Sequence, residues 1–180
     1  MLICGIDPGL DGALAFIDSA SLRIVAMIGM PTLILGKSKG TKREISARSL
    51  VVEIERELDQ PVVYQVFLER VASSPQMGVT SAFQFGRGYG IIEGVLAALE
   101  WPVEYVSPRV WKTALHVPAQ KDDARARACQ LLPRDAELWT PRRKVMDQKQ
   151  ASGRAEAALI ALYGVRVMGA GSSGPPLFEQ

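Results

Sequence analysis

Histidine is almost missing from this chain: 180 residues contain one, His116. A single histidine argues against a zinc centre and against a serine–histidine triad. There are two cysteines, Cys4 and Cys129, and no CxxC pair. Cys4 falls inside the first apolar run, so a reduced, buried thiol and a cytoplasmic protein are expected. No apolar run reaches the roughly 18 residues that a membrane-spanning helix needs, so no membrane partner is expected. The opening MLICGID turns acidic at once and lacks the basic start of a secretory signal.

The remainder has an ordinary soluble balance, 48% apolar and 22% charged. This length predicts one domain, burying roughly 70% of its unfolded surface. We expect that domain over residues 1–168, followed by a flexible tail over 169–180, where GAGSSGPPLFEQ has no apolar periodicity. The net charge of +2 hides an asymmetry. Between Pro108 and Arg154 there are 11 Lys or Arg against 5 Asp or Glu. A basic second half facing carboxylates elsewhere suits a protein that holds a polyanion beside an acidic site, although solvated helix faces produce similar counts.

LICGID, closed by Pro8-Gly9, reads as a buried strand. GALAFID and RIVAMIGM follow at hairpin spacing as the second and third strands. PTLILGKSKGTKRE reads as a loop. Ser46 then caps a helix whose apolar positions Ala47, Leu50, Val51, Ile54 and Leu58 repeat at helical spacing up to Pro61. VVYQVFLERV is the fourth strand, SAFQFGRGYGIIEGVLAALE a glycine-rich helix and PVEYV the fifth strand. Ser107-Pro108 starts a helix, KDDARARACQLL forms another, LWTPRRKVMDQ is a basic loop, and the last helix spans 151–165. The expected class is α/β, with five strands in a mixed sheet flanked by helices and the element order βββαβαβαα.

Three acids stand out because their surroundings are apolar. Asp7 closes the first strand, Glu69 closes the fourth, and Glu156 lies in a helix with Ala155, Ala157, Ala158, Leu159, Ile160 and Leu162 around it. A helix apolar on all sides is a core helix, and a charge within it needs a partner or a metal. Asp7 taken alone also fits a turn aspartate, and Glu69 an ion pair with Arg70. If the three meet, each pair of carboxylates about 4 Å apart costs roughly 4 kcal/mol at an effective dielectric near 20. A divalent cation, Mg²⁺ or Mn²⁺, is the simplest remedy, and it points to phosphate chemistry.

An acid after the first strand, another after the fourth and a third on the final helix resembles the ribonuclease H-like nuclease fold. GIDPGLDGALAFID, LERVASSPQMGVTSAFQFGRGYG, SPRVWK and SGRAEAALIALYG, in that order, resemble the RuvC-type Holliday junction resolvases, in particular their phage and organelle-like branch. The resemblance covers residues 2 to 165. It implies that Asp7, Glu69 and Glu156 hold two ions roughly 4 Å apart, one activating water and one stabilising the departing 3′ oxygen. It also implies a homodimer that makes paired symmetric nicks across a four-way junction, leaving 5′-phosphate and 3′-hydroxyl ends, with no nucleotide cofactor. Lys112 is implied near the active site, where it neutralises phosphate charge. Gln76 and Met77 are implied in the loop that reaches the junction centre. Arg87, Lys121, Arg142, Arg143 and Lys144 are candidate DNA-phosphate contacts.

One position departs from the family pattern. Relatives carry DGRAE where this chain has Ser152-Gly-Arg-Ala-Glu156. Residues four apart share a helix face, so Ser152 is expected to face the same metals with a hydroxyl in place of a carboxylate. One ion then binds weakly or through water, or takes Asp11 or Asp147 instead. Two other readings stay open: a junction-binding protein that has lost cleavage through Ser152, and a small nucleotide-binding relative of actin and sugar kinases, whose phosphate hairpin also begins strand, Asp, glycine turn, strand.

Overall fold

The computed structural model describes residues 1–35, 42–59, 62–71, 76–118, 123–142 and 145–170. A five-stranded sheet has the order β3-β2-β1-β6-β7, built from β1 (Leu2–Asp7), β2 (Ala13–Asp18), β3 (Arg23–Gly29), β6 (Val63–Glu69) and β7 (Val103–Val106). β1, β2 and β3 form an antiparallel meander, while β6 pairs parallel with both β1 and β7. The sheet is therefore mixed, and the expected class holds.

Alternate residues of the central strands serve two cores, as the period of two in a strand requires. Ile3, Ala13, Ala15, Ile17 and Phe67 pack with α3 (Pro108–Ala114), α4 (Asp123–Leu131) and α5 (Gln148–Ala170). Cys4, Ile6, Leu14, Phe16, Val66 and Leu68 pack on the other face with α1 (Ala47–Glu57) and α2 (Val79–Ala98). Burial raises the Cys4 thiol well above its ordinary pKa, and both cysteines are free thiols.

Two elements differ from the expected order. The segment read as a loop contributes a hairpin, β4 (Thr32–Leu35) with β5 (Lys42–Ile45), which pairs only with itself. After β7 come the three helices that the segments after Ser107 predict, one more than the order βββαβαβαα carries, and a 3₁₀ turn, Pro133–Trp139, that was not expected. The last helix also begins three residues earlier than expected, at Gln148. Asp147 caps it: its Oδ1 accepts from the Gln150 amide at 2.9 Å, while Gln150 Oε1 accepts from the Asp147 amide at 3.1 Å. The helix runs on to Ala170, two residues into the expected tail, and 171–180 lie outside the described residues.

The placement of α5 follows from its small residues. A Cβ on Gly5 would fall 2.2 Å from the Ala161 nitrogen and 2.4 Å from the Ala157 oxygen, so helix and strand touch backbone to backbone. A Cβ on Gly153 would likewise fall 2.2 Å from the Asp11 backbone oxygen. Only glycine allows approaches this close. These contacts set the N-terminal half of α5 over the end of β1.

Candidate metal centre

Asp7 and Glu69 end neighbouring parallel strands, which are in register through Ile6 and Leu68. Both side chains thus leave the carboxyl edge of the sheet on the face that α5 covers, the usual position for ligand chemistry in α/β folds. Glu156 comes down from α5. One carboxylate oxygen from each of the three lies within 4.8 Å of the other two. The structure brings together the three acids that the sequence singled out.

The electrostatics are those of an anion-rich pocket. Asp7 is pushed up to about 7, chiefly by burial and then by Glu156; a hydrogen bond from the Gly9 amide at 3.1 Å opposes this, Glu69 adds to it, and Lys112 eases it. Glu69 is also raised, first by burial; the Trp111 hydrogen bond works against this and Glu156 adds to it. Lys112 Nζ stands 3.3 Å from Glu156 Oε1 and 5.0 Å from the centre of the Trp111 ring. Within this group one cation faces three carboxylates. An all-oxygen, net-negative donor set suits a hard divalent cation such as Mg²⁺ or Mn²⁺.

Ser152 lines the same cleft as Asp7, Lys112 and Glu156, together with Gly9 and Gly12. The two acids considered as substitutes do not join the cluster. Asp11 pairs with Arg43 at 2.6 Å, and Asp147 is occupied in capping α5. Met77 lines an apolar groove with Pro8, Leu10, Ile45 and Phe85, next to the acidic turn, and the preceding residue, Gln76, is exposed.

The candidate phosphate contacts fare unevenly. Arg87 is tied to Glu44, with Nη2 at 3.2 Å from Oε1, and Arg142 pairs with Glu137 at 2.9 Å. Both therefore carry an internal partner that a phosphate would have to displace. Lys121, Arg143 and Lys144 lie outside the described residues.

Sequence reasoning missed Trp111. Its indole Nε1 donates to Glu69 Oε1 at 2.8 Å, and the ring is fully buried. The only available signal was its position beside Lys112. It also missed Tyr89, whose hydroxyl donates to the Glu69 carbonyl at 3.3 Å.

No family model and no curated protein sequence matches the chain. Solved structures do. T. thermophilus RuvC in complex with a Holliday junction substrate aligns with a TM-score of 0.57 at 20% identity, covering 96% of this chain and 96% of that one. A second Thermus thermophilus RuvC structure aligns with a TM-score of 0.50 at 18% identity, over 93% and 97% of the two chains. With its mixed five-stranded sheet and flanking helices, the chain has the ribonuclease H-like fold of the RuvC structures.

Proposed function

We propose that the protein is a metal-dependent endonuclease for branched DNA, a Holliday junction resolvase that makes paired symmetric nicks and leaves 5′-phosphate and 3′-hydroxyl ends. One observation carries the reading: oxygens of Asp7, Glu69 and Glu156 lie within 4.8 Å of one another at the carboxyl edge of the sheet. The junction seated on the RuvC relative supports the substrate class.

In this reading Asp7, Glu69 and Glu156 hold Mg²⁺ or Mn²⁺, which supplies Lewis acidity toward a phosphodiester. The sheet edge and α5 fix the backbone positions from which the three carboxylates project before substrate arrives, so little reorganisation remains for the reaction. Lys112 stands at the rim of the cleft and takes up phosphate charge there. The groove along Leu10, Met77 and Phe85 accepts the apolar faces of bases beside the cleaved strand.

A homodimer fits a branched substrate with matching symmetry. α2 supports it. Val79 and Phe83 are 88% and 68% exposed on one side of this helix, and among the described residues nothing lies within 4 Å of a Cβ added at Gly86, Gly90 or Gly94. Large apolar side chains left bare on one side of a helix call for cover. A second copy of the same face, crossing about a two-fold axis, provides it.

The competing reading, junction binding without cleavage, is favoured by Ser152, which lines the cleft at the position where the family has an acid. A nicking assay on synthetic four-way junctions separates the two. With Mg²⁺, and then Mn²⁺, paired nicks with ligatable 5′-phosphate ends are expected. Tight junction binding without nicks in either metal would leave the binding protein as the answer.

A further inference from the structure

We infer that Trp111 is a positioning residue for the metal centre, its indole N–H holding the Glu69 carboxylate in the orientation that metal binding needs. The inference rests on the metal-site reading above. Glu69 has three side-chain torsions, and its backbone alone is fixed, by pairing with Val106 of β7 and by the Tyr89 hydroxyl on its carbonyl. Among the described residues, the 2.8 Å bond from Trp111 Nε1 to Oε1 is the contact that fixes the carboxylate itself.

The donor is suited to this task. Indole nitrogen only donates, and a fully buried N–H is costly to leave without an acceptor, so ring and carboxylate hold each other. Trp111 cannot drift, because it packs in the core with Phe67, Val106 and Leu115. Its neutrality matters too. An arginine or lysine at this point would cancel the charge of Glu69, whereas an indole steers the carboxylate and leaves it anionic for a cation. The next residue, Lys112, bonds Glu156, so one turn of α3 addresses two of the three acids. Groups that hold a metal's ligands from behind in this way typically contribute about 10- to 100-fold to its affinity.

Two arms test the proposal on the full chain. In the first, the three tryptophan indoles are labelled with ¹⁵N and the wild-type protein is titrated with Mg²⁺, then Mn²⁺. The Trp111 indole signal is expected to shift with Mg²⁺ and, with Mn²⁺, to broaden at lower metal concentration than those of Trp101 and Trp139. A Trp111 signal that ignores bound metal would overturn the inference, and this arm needs no variant to fold. In the second, Mn²⁺ affinity is measured by electron paramagnetic resonance for wild type, Trp111→Phe and Trp139→Phe. Trp139 is equally buried but donates to Cys129, so its variant controls for the loss of core packing. Trp111→Phe is expected to bind about 10- to 100-fold more weakly, and Trp139→Phe to bind as wild type. Equal affinity for wild type and Trp111→Phe would sink the positioning role alone. A wild-type protein that binds no Mn²⁺ would remove the metal reading and this inference with it.

Discussion

Lys112 and Glu156 meet at 3.3 Å, which gives one carboxylate of the cluster a direct cationic partner and leaves Asp7 and Glu69 with only the more distant pull of the same ammonium. The ammonium competes with metal for Glu156 and is needed for phosphate, so its removal is expected to split two properties. Lys112→Met should keep or raise Mg²⁺ affinity in titration calorimetry. Junction cleavage at saturating Mg²⁺ should fall on the order of 100-fold, as when one preorganised charge-stabilising group is lost. Loss of affinity and rate together would place Lys112 among the residues that hold the metal.

The pH dependence of metal binding follows from Asp7. Metal takes the ionised carboxylate, so protons and Mg²⁺ compete. With Asp7 held up to about 7, Mg²⁺ affinity should rise by about tenfold between pH 6 and pH 8. In the metal-free protein the sign reverses. The folded state holds its Asp7 proton over a pH range where the unfolded chain has already released it, so stability should fall as pH rises from 4 toward 7. Thermal unfolding in EDTA and in excess Mg²⁺, at pH 5 and pH 8, reads both trends.

Ser152→Asp restores a carboxylate one helical turn before Glu156, in the same cleft. Mg²⁺-dependent cleavage and Mg²⁺ affinity should both increase, with a loss of stability in EDTA from the added charge. At about 5 Å and an effective dielectric near 20, one further carboxylate pair costs roughly 3 kcal/mol. A variant that cleaves and binds Mg²⁺ as wild type does would show that the side chain at 152 does not reach the metals.

Gly5→Ala tests the seam between β1 and α5. The added carbon meets backbone on two sides and no flexible side chain that could move away. Urea unfolding should show a loss of about 3 kcal/mol or more, the upper range for overpacking. Metal affinity should fall with it, because Glu156 rides on the displaced helix.

Phe83→Asp places a charge on the exposed face of α2. In sedimentation velocity the wild-type protein should run as a dimer and the variant as a folded monomer, less thermally stable only by the lost association. A wild-type monomer at micromolar concentration would remove the two-fold reading.

Much of the site was readable because its acids violate local pattern. Glu156 among alanines and leucines cannot be explained by its own helix, and Asp7 and Glu69 each sit where an apolar strand ends. Partners that come from afar left no such mark. Trp111 reaches Glu69 across 42 positions and Arg43 reaches Asp11 across 32, and no local period encodes either contact. The β4–β5 hairpin escaped for a different reason. Its strands have four residues each, and lysines and glycines fill the segment between them, so composition favoured a loop while pairing decided for a hairpin. The start of α5 was set by the reciprocal bonds of Asp147 and Gln150, which a reading based on apolar spacing overlooked.

The third acid is not carried by a loop. Glu156 belongs to a 23-residue helix whose neighbouring residues are interior on almost every side, pressed against β1 with no side chain between them. Such a site has no slack of its own: it cannot loosen ahead of the molecule, nor be reshaped by lengthening a surface segment. On heating, the clustering of the three carboxylates and the native state should disappear at one temperature, and any lineage seeking a new geometry here would have to rebuild the interior first.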